Sequence, residues 1–293
     1  MIRSAALPVA SPTSVSAISH GLRRELPPVI PHRAGEPVDI EPSAVLRVGF
    51  LQFAPQLRSE SENVDFVRSA VREITDAVVV LPEFFLGSYR TLPAAFPTEA
   101  ELAVLLEPLI AVGARQRLRF VGSLPVHCSG RSFNRALVIG ANGLTAVHDK
   151  VRLFGAEHDV FSPGTAAHRT VNIAGWQSTV QICMDIADPG PARAAAVVGA
   201  QLVLSPSTVS VDFLRKIHQA RALENQVISV FCNRHGVEQD GTEYMGRSAV
   251  FLPDGTEISA GPAEDQLVLH TVGAEQLAEW SATQRTLIGH VLV

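Results

Sequence analysis

Long apolar runs are missing from this chain. Although 46% of its 293 residues are hydrophobic, no stretch reaches the length needed to cross a bilayer. That combination excludes a helical span and still supplies a sizeable core. Cysteine is scarce as well. Cys128, Cys183 and Cys232 form no CxxC pair and cannot all pair with one another, so a reduced, intracellular setting is the simpler account. Only 18% of residues are charged, too few for a solvated or disordered chain. A net charge of −5 with no basic run argues against an electrostatic nucleic-acid binder. There is no HExxH, Walker loop or GxGxxG, and the ten histidines are scattered without ligand spacing. Neither a metal nor an organic cofactor is called for.

What is present falls into three parts. Residues 1–45, rich in Pro, Ser and Ala and without sustained period, read as a flexible N-terminal extension. Met1–Arg24 is Ser-rich and lacks acids, so an organelle transit peptide is the alternative, and a cytoplasmic location the simpler one. Residues 46–272 read as one mixed α/β domain, and residues 273–293 as a C-terminal helix and tail.

Within the domain, Leu46–Phe53 and Ala77–Leu81 are nearly continuous apolar runs, as in strands covered on both faces. The second is expected to stop at Pro82. Between them, Ser59 and Glu62 have capping-box spacing, and Val64, Val67, Val71 and Ile74 fall on one helical face. Strand, helix, strand implies a parallel pair with a crossover. Leu102, Leu105, Leu106 and Leu109 mark another helix, and Asn142-Gly143 a hairpin turn. Further on, a helix is expected near Phe213–Asn225 and a short terminal one at Ala274–Trp280, with turns at Asp240-Gly241 and Asp254-Gly255.

In open α/β sheets, chemistry gathers where strands end. Ser178 to Pro191 begins as a strand and closes in a Pro/Gly turn, with Cys183 where the pattern stops. A thiol held there suits a nucleophile, though most free cysteines are small core residues. Glu83, between the run AVVVL and two phenylalanines, is poorly solvated, which raises its pKa and fits it as a general base. Lys150, in apolar surroundings after another strand, suits a developing oxyanion, and Glu157 stands ready to hold it. Each has a bland alternative as an ordinary surface charge. His218 and His235 read as structural.

Val80-Leu81-Pro82-Glu83, Lys150 with Leu153-Phe154, Glu157 and Phe161-x-Pro-Gly, and Ile182-Cys183-x-Asp185 resemble the nitrilase superfamily of carbon–nitrogen hydrolases. The likeness continues through Ser205-Pro206-Ser207, Ala220-Arg221-Ala222-x-Glu224-Asn225, Asn233-Arg234-x-Gly236 and Gly246-x-Ser248. Each short motif is weak alone; the ordered set is strong.

The resemblance implies a four-layer α-β-β-α sandwich that pairs into a homodimer or higher homo-oligomer. It also implies a Glu–Lys–Cys triad of Glu83, Lys150 and Cys183, supported by Glu157 and by the backbone N–H of Met184 as oxyanion donor. In the mechanism drawn from it, Lys150 favours the thiolate of Cys183. The implied substrate is a small amide or N-carbamoyl compound. Met184-Asp185 looks more like the amidase and carbamoylase branches than the nitrile-hydrolysing one, which favours Trp-Glu there. A nitrilase remains the alternative. A non-catalytic binding protein would have no need of all three groups. Tyr89, Arg90, Asp185, Asp188 and Ser207 are the expected pocket residues, with Phe84–Pro97 forming a wall.

Overall fold

The computed structural model describes residues 45–90, 92, 95–165 and 170–289. The expected N-terminal extension, and parts of the Phe84–Pro97 loop, lie outside the described residues. In chain order the elements are β1 (Leu46–Gln52), α1 (Glu60–Ala70), β2 (Val78–Glu83), α2 (Glu99–Leu105), α3 (Glu107–Gln116), β3 (Arg119–Cys128), β4 (Arg131–Gly140) and β5 (Gly143–Asp149). There follow α4 (Glu157–Val160), β6 (Val171–Ile173), β7 (Trp176–Val180), a 3-10 turn (Cys183–Ala187), α5 (Pro189–Val197), β8 (Leu202–Pro206), α6 (Phe213–Asn225) and β9 (Ile228–Cys232). The last are β10 (His235–Val237), β11 (Glu243–Met245), β12 (Ala249–Phe251), β13 (Glu257–Ser259), β14 (Gln266–Val272) and α7 (Ala274–Gly289).

These strands form two six-stranded sheets, ordered β14-β1-β2-β3-β4-β5 and β13-β12-β9-β8-β7-β6, with β10-β11 as a separate hairpin. In each sheet the three central strands run parallel: β1, β2 and β3 in one, β7, β8 and β9 in the other. Side-chain alternation explains why they stack. On β2, Val78 and Val80 join a core shared with Val180, Leu204 and Val230 of the second sheet. Val79 and Leu81 point the other way, onto Val64 and Val67 of α1 and Leu109 and Val112 of α3. Helices α5, α6 and α7 cover the outside of the second sheet, bringing Ala192, Leu214, Ala222 and Leu277 to it. The result is the expected four-layer sandwich. No helix among the described residues is long and apolar enough to cross a membrane.

Local chemistry sets the details. Ser59 and Glu62 form the capping box that starts α1, and Thr98 with Glu101 forms another at α2. The single helix expected over Leu102–Leu109 is instead two, broken at Leu106, because Pro108 in the first turn of α3 has no N–H to continue α2. Strand β2 does not stop at Pro82 but runs through it to Glu83, with the register against β3 shifting between Val80 and Glu83. A proline is tolerated there because the irregularity asks for no ladder donor. The hairpin at Asn142-Gly143 forms as expected. A second one at Ser129-Gly130, both with positive φ, joins β3 to β4.

The C-terminal helix is longer than the sequence suggested. Trp280 and Ile288 are buried in the core, and Gln284 donates to the carbonyls of Ala200 and Asn225. This segment is an integral part of the outer layer.

Candidate active site

The C-terminal ends of the parallel strands converge. Glu83 closes β2, Asn233 and Arg234 follow β9, and Ser207 and Thr208 follow β8. Lys150 follows β5, which ends beside the start of β4, so sheet pairing alone brings Asn134 of β4 to the lysine. The Lys150 backbone N–H donates to the Asn134 carbonyl at 2.8 Å.

The side chains meet in a buried cluster. The Lys150 ammonium donates to Glu83 Oε1 and to Glu157 Oε1, each at 2.8 Å, and the lysine is 1% exposed. Asn134 Nδ2 donates to Glu83 Oε1 at 2.7 Å, and the N–H of Phe154 to Glu157 Oε2 at 2.7 Å. Glu83 Oε2 is buried and has no hydrogen-bond partner among the described residues. One oxygen of the carboxylate is therefore fastened and the other is unengaged.

Burial pushes the Glu83 carboxyl up, Lys150 pulls it down, and the nearby Glu157 charge adds to the rise; the net shift is upward. For Lys150, burial alone would favour the neutral amine. Glu83, the Cys183 thiol and Glu157 outweigh it and keep the ammonium well above its usual range.

Cys183 lies across the cluster on the other sheet. The chain leaves β7 at Val180 and bends at Cys183, whose φ of +48° is in the left-handed region and costs a non-glycine residue roughly 1–2 kcal/mol. Its Sγ faces the Thr208 carbonyl at 3.9 Å. Burial raises the thiol, the Glu83 charge raises it further, and Lys150 lowers it without winning. Lys150 thus favours the thiolate, as expected, but burial and Glu83 outweigh it and the net shift is upward. Met184 follows at the start of the 3-10 turn, where a first N–H has no partner within the helix.

The expected pocket residues divide. Tyr89 is at the site: its ring stacks on Phe84 at 5.2 Å. Its phenol is pushed up by burial and by Glu83, and it also feels Lys150, Glu157 and Cys183. Phe161 and Phe96 extend this aromatic wall, with ring centroids 5.8 Å and 5.2 Å apart along it. Arg90 is engaged elsewhere, in an exposed pair with Asp240 at 2.7 Å. Asp188 caps α5 through the N–H of Gly190 and pairs with Arg152. Ser207 is fully buried, its carbonyl accepting from the Glu83 N–H at 3.3 Å.

Asp185 is a fastening rather than a wall. Its carboxylate accepts from the N–H groups of Val151, Arg152 and Ile182, and from His148 Nε2 at 2.7 Å. It ties the turn carrying Cys183 to the segment carrying Lys150. Asn134, which the sequence reading passed over, had one signal: a lone amide on the inward face of the apolar strand FNRALVI.

Among the described residues no three His, Cys, Asp or Glu side chains gather as a metal site. Comparison with known proteins agrees with the geometry. Residues 47–282 match the carbon-nitrogen hydrolase family. A protein of Pseudomonas protegens named "Hydrolase in pqqF 5'region" is 30% identical over 83% of this chain and 88% of its own. A nitrilase of Pyrococcus abyssi is 26% identical, covering 77% of this chain and 91% of its own. An (R)-stereoselective amidase of a Pseudomonas species is 31% identical, covering 61% and 66%. Among solved structures, a CN-hydrolase superfamily protein of Xanthomonas campestris with an arsenic adduct in its active site superposes with a TM-score of 0.72 at 25% identity, covering 84% of this chain and 97% of its own. The chain therefore belongs to the carbon–nitrogen hydrolase family, the nitrilase superfamily, and is a hydrolase of C–N bonds.

Proposed function

We propose that the chain hydrolyses a small amide or N-carbamoyl compound through a thioester on Cys183, with Glu83 as general base and acid and Lys150 as electrostatic stabiliser. The observation that carries this is the Lys150 ammonium bound to both Glu83 and Glu157 at 2.8 Å, with the Cys183 thiol in the field of Glu83 and Lys150.

The charges dictate the order of events. A neutral thiol is a weak nucleophile, so its proton must leave as sulfur attacks, and the unengaged oxygen of Glu83 is the acceptor. The raised Glu83 carboxyl makes that transfer more even in energy. As sulfur bonds to the amide carbon, the carbonyl oxygen takes up negative charge. The Lys150 ammonium and the Met184 N–H meet it; one such donor is typically worth about 10²–10³ in rate.

Protonated Glu83 gives its proton to the departing nitrogen, and the C–N bond breaks to leave the thioester. Glu83 then takes a proton from water as its oxygen attacks. The second tetrahedral adduct collapses to the acid, and the thiol regains its proton from Glu83. Lys150 stays charged throughout, held so by two carboxylates. Glu157 orients the ammonium.

The aromatic wall of Phe84, Tyr89, Phe96 and Phe161 favours a substrate with an apolar part beside the amide. A nitrile is the second reading, supported by the similarity to a nitrilase. Pairing with a second copy through the outer helices is part of the proposal, since Val197, Val198, Phe213 and Leu223 on or beside α5 and α6 are exposed apolar residues.

Ammonia release from a panel of small amides, N-carbamoyl amino acids and nitriles tests the substrate. Turnover of amides or carbamoyl compounds well above nitriles is expected, and nitriles alone would select the second reading. The same assay on Cys183→Ala tests the nucleophile: activity at the wild-type level would falsify it.

A further inference from the structure

Two buried charges near the site take no part in the steps above. Arg234 is fully buried. Its Nη2 donates to the Glu83 carbonyl at 2.6 Å and the Phe84 carbonyl at 2.9 Å, and its Nη1 to the Gly87 carbonyl at 2.9 Å. Three carbonyls of one short turn are gathered on one guanidinium, and that turn begins with the general base. The bend needs holding, because Phe84 has φ of +51°. Thr208 Oγ1 adds a second donor to the Glu83 carbonyl at 3.2 Å.

Glu238, 5% exposed, sits 3.5 Å from Arg234 and is its countercharge. Its carboxylate accepts from Ser88 Oγ at 2.7 Å, the Tyr89 N–H at 3.0 Å and the Tyr244 hydroxyl at 3.3 Å. The same pair thus holds both ends of the segment: Glu83 at one, Tyr89 at the other. Both charges come from the strand end and hairpin after β9, on the other sheet.

We propose that Arg234 and Glu238 are a buried positioning pair for this reaction, Arg234 setting the carboxylate of Glu83 and Glu238 setting the phenol of Tyr89 against the bound substrate. The inference rests on the functional reading above. An Arg is required because its planar fork can serve three carbonyls at fixed angles, which an ammonium cannot. The Glu is required because a buried guanidinium without a countercharge is strongly unfavourable.

The pair also acts through charge. Glu83 is faced by Lys150 from the end of β5, by Glu157 from α4, by the Cys183 thiol and by the Tyr89 phenol. Arg234, faced by Tyr244, Glu238, Glu83 and Tyr89, is a cation bonded to the Glu83 backbone. Removing the Glu238 charge leaves Arg234 uncompensated and favours ionised Glu83. Removing the Arg234 charge does the reverse.

The test is steady-state kinetics of the full chain across pH, on the best amide of the panel, for Arg234→Lys, Arg234→Gln, Glu238→Gln and Ser88→Ala. Arg234→Lys keeps the charge and loses the fork, so kcat should fall at least tenfold while the acid limb of kcat/KM stays within a few tenths of a pH unit. Arg234→Gln should move that limb up and Glu238→Gln should move it down. Glu238→Gln and Ser88→Ala should raise KM more than they lower kcat, by about tenfold and threefold. Ser88→Ala removes one hydroxyl from a half-buried loop and will fold even if the buried variants do not. Folded Glu238→Gln or Arg234→Lys with kcat, KM and limb all within twofold of wild type would overturn the proposal, as would an unchanged KM in Ser88→Ala. A fully active Cys183→Ala measured alongside would instead overturn the underlying reading.

Discussion

The turn that carries the proposed base and the turn that carries the proposed nucleophile solve the same problem with opposite charges. Each bends a non-glycine residue into left-handed backbone, Phe84 at φ +51° and Cys183 at φ +48°. Each is held by a buried charged side chain. At the base, the cation Arg234 collects carbonyls from Glu83, Phe84 and Gly87. At the nucleophile, the anion Asp185 collects N–H groups from Ile182, Val151 and Arg152. The difference matches what each turn must present. Carbonyl lone pairs are drawn away from the carboxylate that has to accept a proton. At the proposed nucleophile the anion binds the N–H of Ile182 and those of Val151 and Arg152, and leaves the Met184 N–H, proposed for the oxyanion, out of its hydrogen bonds.

The largest effect should come from what lies between the turns. Lys150→Gln removes the charge shared by both halves and leaves Glu83 and Glu157 buried without it. Activity should fall by about 10³ or more, from loss of the oxyanion partner, and stability by several kcal/mol. A calorimetric or urea midpoint alongside the rate assay checks both; loss of rate with unchanged stability would mean that the carboxylates are not paired as described.

Next is the nucleophile's own fastening. Asp185→Asn can still accept from Val151 and Arg152 but turns a donor toward the Ile182 N–H. A 10–100-fold fall in kcat, with little change in KM and slower alkylation of Cys183 by iodoacetamide, is expected. A change confined to KM would return Asp185 to the pocket wall.

Acid should act on the base. Glu83 is raised by burial, so kcat/KM should fall on acidification through a pKa above the ordinary carboxylate range, because the protonated acid cannot accept the thiol proton. Glu83→Gln should abolish that limb together with the activity.

The same contrast can be drawn with a buried group that has no ion-pair partner among the described residues. His218, donor or acceptor to Ser229 Oγ at 2.8 Å and packed on Phe231, is held down to about 3 by burial and by Arg221. Its folded value lies below the unfolded one of about 6.5, so stability is present above pH 6.5 and lost as pH falls toward 3. The stability lost between pH 7 and pH 4 should be smaller in His218→Gln by roughly 3 kcal/mol, read from urea midpoints. The smallest effect belongs to the surface: Arg117→Ala breaks its exposed pair with Asp76 and should leave the urea midpoint and the activity nearly unchanged.

Much of this was legible in the sequence because it rests on local rules. Buried runs such as AVVVL, the Ser59–Glu62 box and Asn142-Gly143 each announce a strand, a helix start or a turn with few alternatives. Glu83, Lys150 and Cys183 stood out as candidates because each follows a strand pattern, but each alone also fitted a bland role, and the resemblance is what joined them into a triad. What escaped was everything set by packing between distant segments. Nothing near Arg234 in sequence says that its guanidinium serves carbonyls 147 to 151 residues away. Asp185 reads as a pocket acid until the chain after Lys150 is folded against it. The net shift of the Cys183 thiol was not legible for the same reason: Lys150 lowers it as expected, but only the folded chain shows that burial and Glu83 outweigh the lysine.

The most direct measurement is the mass of the protein quenched during turnover of a slow amide substrate. The account expects an added acyl mass that maps to the peptide containing Cys183, is discharged as product acid appears, and is absent from Cys183→Ala. Sustained turnover with no covalent acyl group on that cysteine would contradict it.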